Sequence, residues 1–178
     1  KKDQIKMIEI KISQGAKPGH GGMLLAPKVT AEIANTRGIE VGKDCISPAK
    51  HKEFSTPNEL LNFVEKLRSL SGNKPIGIKM CIGHPWELIS IVKTMVLKKK
   101  YIDFITIDGA EGGTGAAPAE FTDHLGSPLK DAIIFVDNAL IGSNLRKRVK
   151  IGVSGKIVSA FDIAHMCSLG ADWVNMAR

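Results

Sequence analysis

The amino-acid sequence predicts an α/β protein whose strands form a parallel sheet or barrel. Two patterns in the 178 residues lead to this prediction. Short apolar or β-branched runs recur along the chain, as expected of buried strands, and helical repeats of apolar residues separate them. Strands that alternate with helices in this way are typical of parallel βα units. The predicted strands are residues 7–12, 76–80, 103–108, 149–153 and 173–176.

Helices are predicted between these strands from capping residues and apolar spacing. Residues 56–59 (Thr-Pro-Asn-Glu) have the pattern of an N-cap, a first-turn proline and an acidic third helical position, and Gly72 is a typical helix stop. Two further helices are predicted over residues 84–100 and 159–169. Residues 133–141 remain ambiguous, because the first five resemble a strand and the last resemble a helix.

The length of the chain limits the architecture. A complete eight-stranded α/β barrel usually needs about 250 residues and at least about 200. We therefore predict a single domain over residues 1–178 that is shorter than a full barrel. The chain begins almost directly on a strand and ends directly after one, so the two outer strands would be uncovered edges in an isolated monomer.

Charge and composition exclude some classes of function. The formal net charge is +7, but the cations are spread along the chain, and the short basic runs at residues 98–100 and 146–150 each precede a predicted strand, as solvated helix ends do. The chain has a single tyrosine and no basic–aromatic interleaving for stacking bases. We predict no interaction with nucleic acid.

The location is predicted from apolar runs and cysteines. No apolar run approaches the length of about 18 residues that a membrane helix needs, and the N-terminus lacks the apolar region of a signal peptide. Cys45, Cys81 and Cys167 are far apart and form neither a zinc motif nor a disulfide framework. A cytoplasmic protein without a bound metal or a membrane span is therefore predicted.

The loops after the first two main strands carry candidate binding residues, since ligands bind at the carboxyl ends of parallel strands. Residues 13–22 contain four glycines around Lys17, which suits close approach of the backbone to an anion, although a flexible surface turn has the same composition. Lys79 lies between apolar residues of the next strand, where its burial is costly without a partner anion. Extension of its side chain to the surface is the alternative.

Two later loops have the composition of ligand-binding turns. Residues 109–118 are rich in glycine and offer backbone N–H groups to an anion or a flat ring, but they match neither the Walker A motif nor the dinucleotide fingerprint. Residues 154–156 (Ser-Gly-Lys) lead into a helix N-terminus near Ser159, which is an anion-binding geometry. With Asn175 at the neighbouring strand end, they predict a phosphate site, and an ordinary βα turn is the alternative.

Taken together, six motifs resemble the FMN-binding synthase domain of glutamate synthases, and in particular the stand-alone glutamate synthase-like family. They occur in the family's order and cover nearly the whole chain. The motifs are residues 11–22, 45–51, 77–80, 104–118, 153–157 and 170–178.

The resemblance implies a (βα)₈ barrel of TIM type with FMN at its C-terminal mouth. The chain would supply the C-terminal portion of it, about five βα units with strands four to eight, and residues 133–141 would be helical. An iron–sulfur cluster of the full-length protein would be held by cysteines that are not in this chain.

The resemblance also implies roles for individual residues. Lys79 matches a lysine that contacts the flavin ring near N1 and O2, where a cation stabilises the reduced flavin. Lys17 and Arg37 match residues that bind the 2-oxo acid substrate, and Lys17 and Lys79 are the predicted catalytic residues. The flavin loop, which also lines the substrate at Gly113 and Thr114, comprises Gly112, Gly113, Thr114 and Gly115. The FMN phosphate site comprises Ser154, Gly155, Lys156, Asn175 and Ala177.

The implied activity is the reductive amination of 2-oxoglutarate to glutamate by hydride transfer from flavin to 2-iminoglutarate. Two positions depart from the family: Met23 replaces a glutamine that helps hold 2-oxoglutarate, and His20 replaces an acidic residue. An FMN-dependent oxidoreductase acting on another 2-oxo or 2-hydroxy acid is therefore one alternative. A non-catalytic barrel fragment that binds a partner, or forms a homo-oligomer through its open edges, is another. The electron donor, a protein or NAD(P)H, and the ammonia source remain open.

Overall fold

The five predicted main strands form one parallel sheet in the computed structural model, which describes residues 3–112 and 117–176. A two-stranded antiparallel sheet, a short 3₁₀ helix (Ala26–Lys28) and five α-helices complete the described part of the chain. In chain order the elements are β1 (Ile8–Lys11), β2 (Met23–Leu24), α1 (Ala31–Arg37), β3 (Cys45–Ile46), α2 (Pro57–Ser71), β4 (Ile76–Met80), α3 (Pro85–Lys98), β5 (Phe104–Asp108), α4 (Leu129–Gly142), β6 (Lys150–Ser154), α5 (Ala160–Ser168) and β7 (Trp173–Asn175).

The two faces of the sheet differ in character. Its strand order is β1-β4-β5-β6-β7, with every pair parallel. Alternate residues such as Ile78, Ile107 and Val153 are fully buried in the core that also contains apolar residues of α2, α3 and α4. The residues between them, including Lys79 and Thr106, belong to the opposite face. The predicted α/β class and strand positions are confirmed, and the polar residues all fall on one face.

Helix α2 begins and ends as its capping residues predict. At the start of α2, the Thr56 hydroxyl accepts from Glu59 N–H at 3.2 Å, and the Glu59 carboxylate accepts from Thr56 N–H at 3.2 Å. Hydrogen bonds from Ser55 and Thr56 hold the pKa of Glu59 below its usual value. Gly72 ends this helix with φ of +76°. The ambiguous residues 133–141 lie within α4 and are helical.

A similar contact occurs twice at the amino ends of the strands. Arg68 of α2 pairs with Asp103, which also accepts from Ile76 N–H at 2.8 Å. Arg146, just after α4, pairs with Asp172, which accepts from Ile151 N–H at 2.8 Å. In both cases an arginine that precedes one strand (β4 or β6) pairs with an aspartate just before the following strand (β5 or β7). The same aspartate also accepts a hydrogen bond from the first of these two strands.

Aromatic residues follow both aspartates and cover glycines of the neighbouring strands. A Cβ on Gly77 would lie 2.3 Å from the Phe104 ring, and one on Gly152 would lie 2.3 Å from the Trp173 ring. Phe104 and Trp173 also contact each other edge to face, with ring centroids 5.5 Å apart. These rings fill the polar face of the sheet near its amino end, so the open space on that face lies toward the carboxyl ends of the strands.

We expect Arg146→Leu to lower the free energy of unfolding by about 2 kcal/mol, because the partly buried Asp137 loses the cation it pairs with and Asp172 keeps only Lys150. Arg146 contacts Asp137 and Asp172 and donates to Gly170 O at 2.7 Å. Lys147→Leu, at an exposed neighbouring position, is the matched control and should change stability little. Urea unfolding would measure both, and equal stability of the two variants would contradict the prediction.

The same contact predicts a pH dependence of stability. Burial opposes ionisation of Asp172, but the hydrogen bonds from Ile151 and Lys150 and the charge of Arg146 outweigh it and hold the pKa of Asp172 below its usual value. A lowered pKa in the folded state stabilises the protein above the unfolded-state pKa of about 3.9, and this contribution disappears as pH falls through the folded-state pKa. Urea unfolding should therefore show wild type more stable than Asp172→Asn at pH 7, with the difference shrinking below about pH 4. A difference independent of pH would argue against it.

Candidate functional site

Asp108, the last residue of β5, joins four elements at the carboxyl edge of the sheet. Its Oδ2 accepts from Gly15 N–H at 2.8 Å, and its Oδ1 accepts from the Ser154 hydroxyl. The Lys79 ammonium lies 3.3 Å from the same Oδ1. The loop after β1 and the ends of β4, β5 and β6 therefore meet at this carboxylate. Sequence reasoning missed Asp108; its one signal was a polar residue that ends a buried strand.

Lys79 has the partner anion that its position in an apolar strand requires. It is the register neighbour of Thr106 and lies on the face opposite Ile78. Its side chain is 24% exposed, so the ammonium group is shielded from bulk water but still accessible from the carboxyl edge. The structure thus places a fixed positive charge on the polar face of the sheet, beside Asp108.

Lys17 is a second cation in the loop after β1, and it is 9% exposed. The loop folds back on itself, as the distance of 3.8 Å between Lys17 Nζ and a Cβ built on Gly22 shows. Among residues 3–112 and 117–176, no carboxylate forms an ion pair with Lys17. A lysine that is mostly buried in this situation is suited to a carboxylate or phosphate ligand.

The antiparallel pair of β2 and β3 holds the first loop against residues 45–51. Ser47 N–H donates to Gly22 O at 2.8 Å, and a Cβ on Gly21 would lie 1.9 Å from Ser47 O. Two of the six motifs recognised in the sequence are therefore in contact. Neither the pairing of β2 with β3 nor α1 was predicted. Two-residue strands show no periodicity, whereas Thr30 and Gly38, the caps of α1, are a signal that could have been used.

Lys79, Asp108 and the loop that contains Lys17 form a charged cluster at the carboxyl edge of the sheet, and Arg37 is not part of this cluster in the described structure. It is exposed in the last turn of α1, and no described hydrogen bond or ion pair joins it to Lys17, Lys79 or Asp108. Its proposed contact with a substrate carboxylate stays a prediction.

The predicted flavin loop is described only at its start. Gly109 N–H donates to Ser154 O at 2.9 Å, which ties the loop after β5 to the end of β6. Gly112 is buried, and its N–H donates to Asp123 at 3.3 Å. The predictions for Gly113, Thr114, Gly115 and Ala177 fall outside the described residues.

The predicted phosphate turn follows β6 directly. Ser154 is buried, and Gly155 has φ of +145°, a conformation that side chains rarely adopt. Lys156 is more than half exposed and lies 3.8 Å from Asp123. Asn175 is the register neighbour of Ser154 on β7 and is exposed at the same edge. These four predicted residues are therefore close together.

The N-terminus of α5 offers fewer free N–H groups for binding an anion at this turn than the sequence suggests. Ser159 and Asp162 form a capping box, and the Asp162 carboxylate also accepts from Val158 N–H at 3.2 Å. Hydrogen bonds from Ser159 hold the pKa of Asp162 below its usual value. The helix end is thus capped by its own carboxylate, so an anion here depends more on the turn at residues 154–156.

A cavity of about 600 Å³ lies beside the cluster, between the N-terminal ends of α2 and α3. Its lining residues include Ile12, Ser13, Leu60, Met80, Cys81 and His84, and neither Lys79 nor Ser154 is among them. Burial raises the pKa of the Cys81 thiol, while Ser13 opposes this and Asp108 adds to it. Because the thiolate is disfavoured, Cys81 is suited to a structural role.

Comparison with known proteins decides the family. The family model described as the conserved region in glutamate synthase matches residues 2–178. This chain belongs to the glutamate synthase family. The resemblance recognised in the six motifs is thus confirmed.

Individual members of the glutamate synthase family align with almost the whole chain. Glutamate synthase large subunit-like protein YerD of Bacillus subtilis is 48% identical over 176 residues, which are 99% of this chain and 33% of that protein. The archaeal glutamate synthase [NADPH] of Methanocaldococcus jannaschii is 42% identical over 168 residues, covering 94% of this chain and 32% of that protein. The chain spans about a third of the length of these relatives.

Among solved structures, an A198G:L230A flavocytochrome b2 with sulfite bound has a similar fold. Its TM-score is 0.50 at 11% identity, and the match covers 97% of this chain and 35% of that one. The parallel sheet of this glutamate synthase family member therefore has an arrangement that also occurs in a distant protein. Within the described residues of the chain, no helix is both long and apolar enough to cross a membrane.

Proposed function

We propose that this chain forms part of an FMN-dependent oxidoreductase of glutamate synthase type, which aminates 2-oxoglutarate reductively to glutamate. The observation that carries the proposal is the contact of three groups at the carboxyl edge of the sheet. Asp108 forms an ion pair with Lys79 and accepts a hydrogen bond from Gly15, in the loop that also contains Lys17. Membership of the glutamate synthase family and relatives named glutamate synthase [NADPH] support it.

The residues at this edge fit FMN. The polar face offers a cation at Lys79 for the ring system and a turn at Gly155 for the phosphate. Glu111 Oε2 is buried beside that turn without a described hydrogen-bond partner, which suits a ligand that carries hydroxyl donors. We propose the same edge as the C-terminal mouth of an eight-stranded barrel, with β1, β4, β5, β6 and β7 as strands four to eight. Further strands would enclose the charged face that carries Lys79.

The residues of this edge have three distinct roles in the proposed reaction. FMN, when bound, supplies hydride transfer, and the protein supplies position and charge. Lys79, oriented by Asp108, holds positive charge where the reduced ring carries negative charge. Lys17 is a point charge for a carboxylate of the dianionic 2-oxo acid. Ser154, Gly155, Lys156 and Asn175 hold the phosphate, mainly through the turn after β6.

Reconstitution of the full-length protein tests this function. The protein incubated with FMN should show a bound-flavin absorption spectrum, and titration with 2-oxoglutarate should perturb that spectrum. With ammonia present, 2-oxoglutarate should reoxidise the reduced flavin. Absence of a bound-flavin spectrum would refute FMN dependence, and a spectrum indifferent to 2-oxoglutarate would refute the substrate.

A different 2-oxo acid is the second candidate, and Met23 favours it. Met23 follows Gly22, which lies close to the Lys17 ammonium, and its side chain is about half exposed. Methionine has no amide to hydrogen-bond 2-oxoglutarate, so the polar end of that substrate loses a partner. A screen of 2-oxo acids for flavin reoxidation separates the candidates, and preference for a less polar acid would favour the second.

A further inference from the structure

Glu111 connects the loop after β5 to the beginning of α4. Its Oε1 accepts from Leu129 N–H, the first residue of α4, at 2.9 Å. The residue before this helix is Pro128, which has no side-chain acceptor for the exposed N–H groups. One oxygen of Glu111 therefore acts as the cap of α4.

The other oxygen of Glu111 is buried and has no hydrogen-bond partner in the described part of the chain. It lies between the loops that follow β5 and β6. A Cβ on Gly109 would be 2.0 Å from Glu111 Oε2, and a Cβ on Gly155 would be 3.1 Å from it. Glycine at both positions makes room for this oxygen, which lies next to the turn proposed to bind phosphate.

The neighbouring carboxylate at this edge is already engaged. Asp108 accepts from Gly15 and Ser154 and pairs with Lys79, so both of its oxygens have partners. Glu111 Oε2 is left as an acceptor for which residues 3–112 and 117–176 supply no donor. Because buried acceptors are rarely unpaired in folded proteins, a bound molecule is expected to supply the donor.

We propose that Glu111 Oε2 accepts a hydrogen bond from a hydroxyl of the ribityl chain of FMN. This inference rests on the proposed function. The phosphate and the ring carbonyls of FMN are acceptors, and a carboxylate repels a phosphate, which leaves the ribityl hydroxyls and the ring N3–H as donors. The position of Glu111 beside Gly155, at the phosphate end of the site, selects a ribityl hydroxyl. Glu111 thereby couples bound cofactor to the start of α4.

The variant Glu111→Gln tests this, because the amide has one acceptor oxygen for two donors, Leu129 N–H and the ligand. In the full-length protein we expect the dissociation constant for FMN, measured by quenching of flavin fluorescence, to rise about tenfold or more. Glu120→Gln removes the same charge at an exposed position on the nearby turn and should bind FMN as wild type does.

FMN analogues lacking one ribityl hydroxyl each identify the contact. Wild type should bind one of them at least about tenfold more weakly than FMN, and Glu111→Gln should bind that analogue and FMN alike. Equal wild-type affinity for FMN and all three analogues would overturn the inference even if Glu111→Gln failed to fold. Unchanged FMN binding by Glu111→Gln would also overturn it. Wild type that binds no FMN would overturn the proposed function as well.

Discussion

Lys79→Met is expected to slow flavin reoxidation by 2-oxoglutarate and ammonia by about 10²-fold or more, the usual effect of removing one group that stabilises developing charge. The ammonium of Lys79 lies 3.3 Å from Asp108 and faces the carboxyl edge. Methionine fills a similar volume but carries no charge. The reduction potential of the bound flavin should also become more negative, because the reduced ring loses a stabilising cation.

A matched control separates this effect from a general loss of positive charge. Lys93→Met removes a lysine from the exposed face of α3 and should leave both the rate and the potential unchanged. Spectroelectrochemical titration and stopped-flow reoxidation measure the two quantities. A Lys79→Met protein with wild-type potential and rate would show that the cation lies away from the flavin.

Gly15→Ala is expected to weaken FMN and 2-oxoglutarate binding by about 10²-fold and to destabilise the fold by about 3 kcal/mol. A Cβ on Gly15 would lie 1.6 Å from Gly109 O and 2.9 Å from Asp108 O. Both obstacles are backbone atoms, so no change of side-chain rotamer relieves the overlap. The two loops must separate, which breaks the hydrogen bond from Gly15 N–H to Asp108 and displaces Lys17.

Gly83→Ala provides the comparison, because a Cβ on Gly83, in the loop after β4, meets no atom within 4 Å. This variant should keep wild-type stability in urea and wild-type affinity in flavin and 2-oxoglutarate titrations. If Gly15→Ala behaves like Gly83→Ala, the loops after β1 and β5 do not need their close contact for binding.

The strands and most helices could be predicted because their signals are local. Residues buried on one or both faces of a parallel strand are apolar, and capping residues such as Thr56 and Gly72 mark helix ends. Residues 133–141 were ambiguous because a local apolar pattern can fit a strand as well as a helix. Most of the apolar residues of α4 face the sheet or its neighbours, so the run is dense enough to resemble a strand.

The glycine-rich loops also carried enough information to locate the edge that bears the candidate site. Lys79, Ser154 and Gly155 were selected from the sequence, and the structure places them at the carboxyl ends of β4 and β6. Asp108 and Glu111 were missed. A carboxylate that follows an apolar strand can have many roles, so its presence alone predicts none of them. The residues that contact Asp108 and Glu111 are also distant from them in sequence.

The sequence by itself determined the alternation of strands and helices, the position of the glycine-rich loops and the membership of the family. These features depend on backbone preferences and on burial within short segments. The tertiary structure alone decided which polar groups meet. Asp108 joins residues 93 and 46 positions away because the register of the parallel strands brings their carboxyl ends together. The same packing leaves one oxygen of Glu111 buried beside Gly155 without a hydrogen-bond partner among the described residues, because Gly109 and Gly155 of the loops after β5 and β6 lie against it.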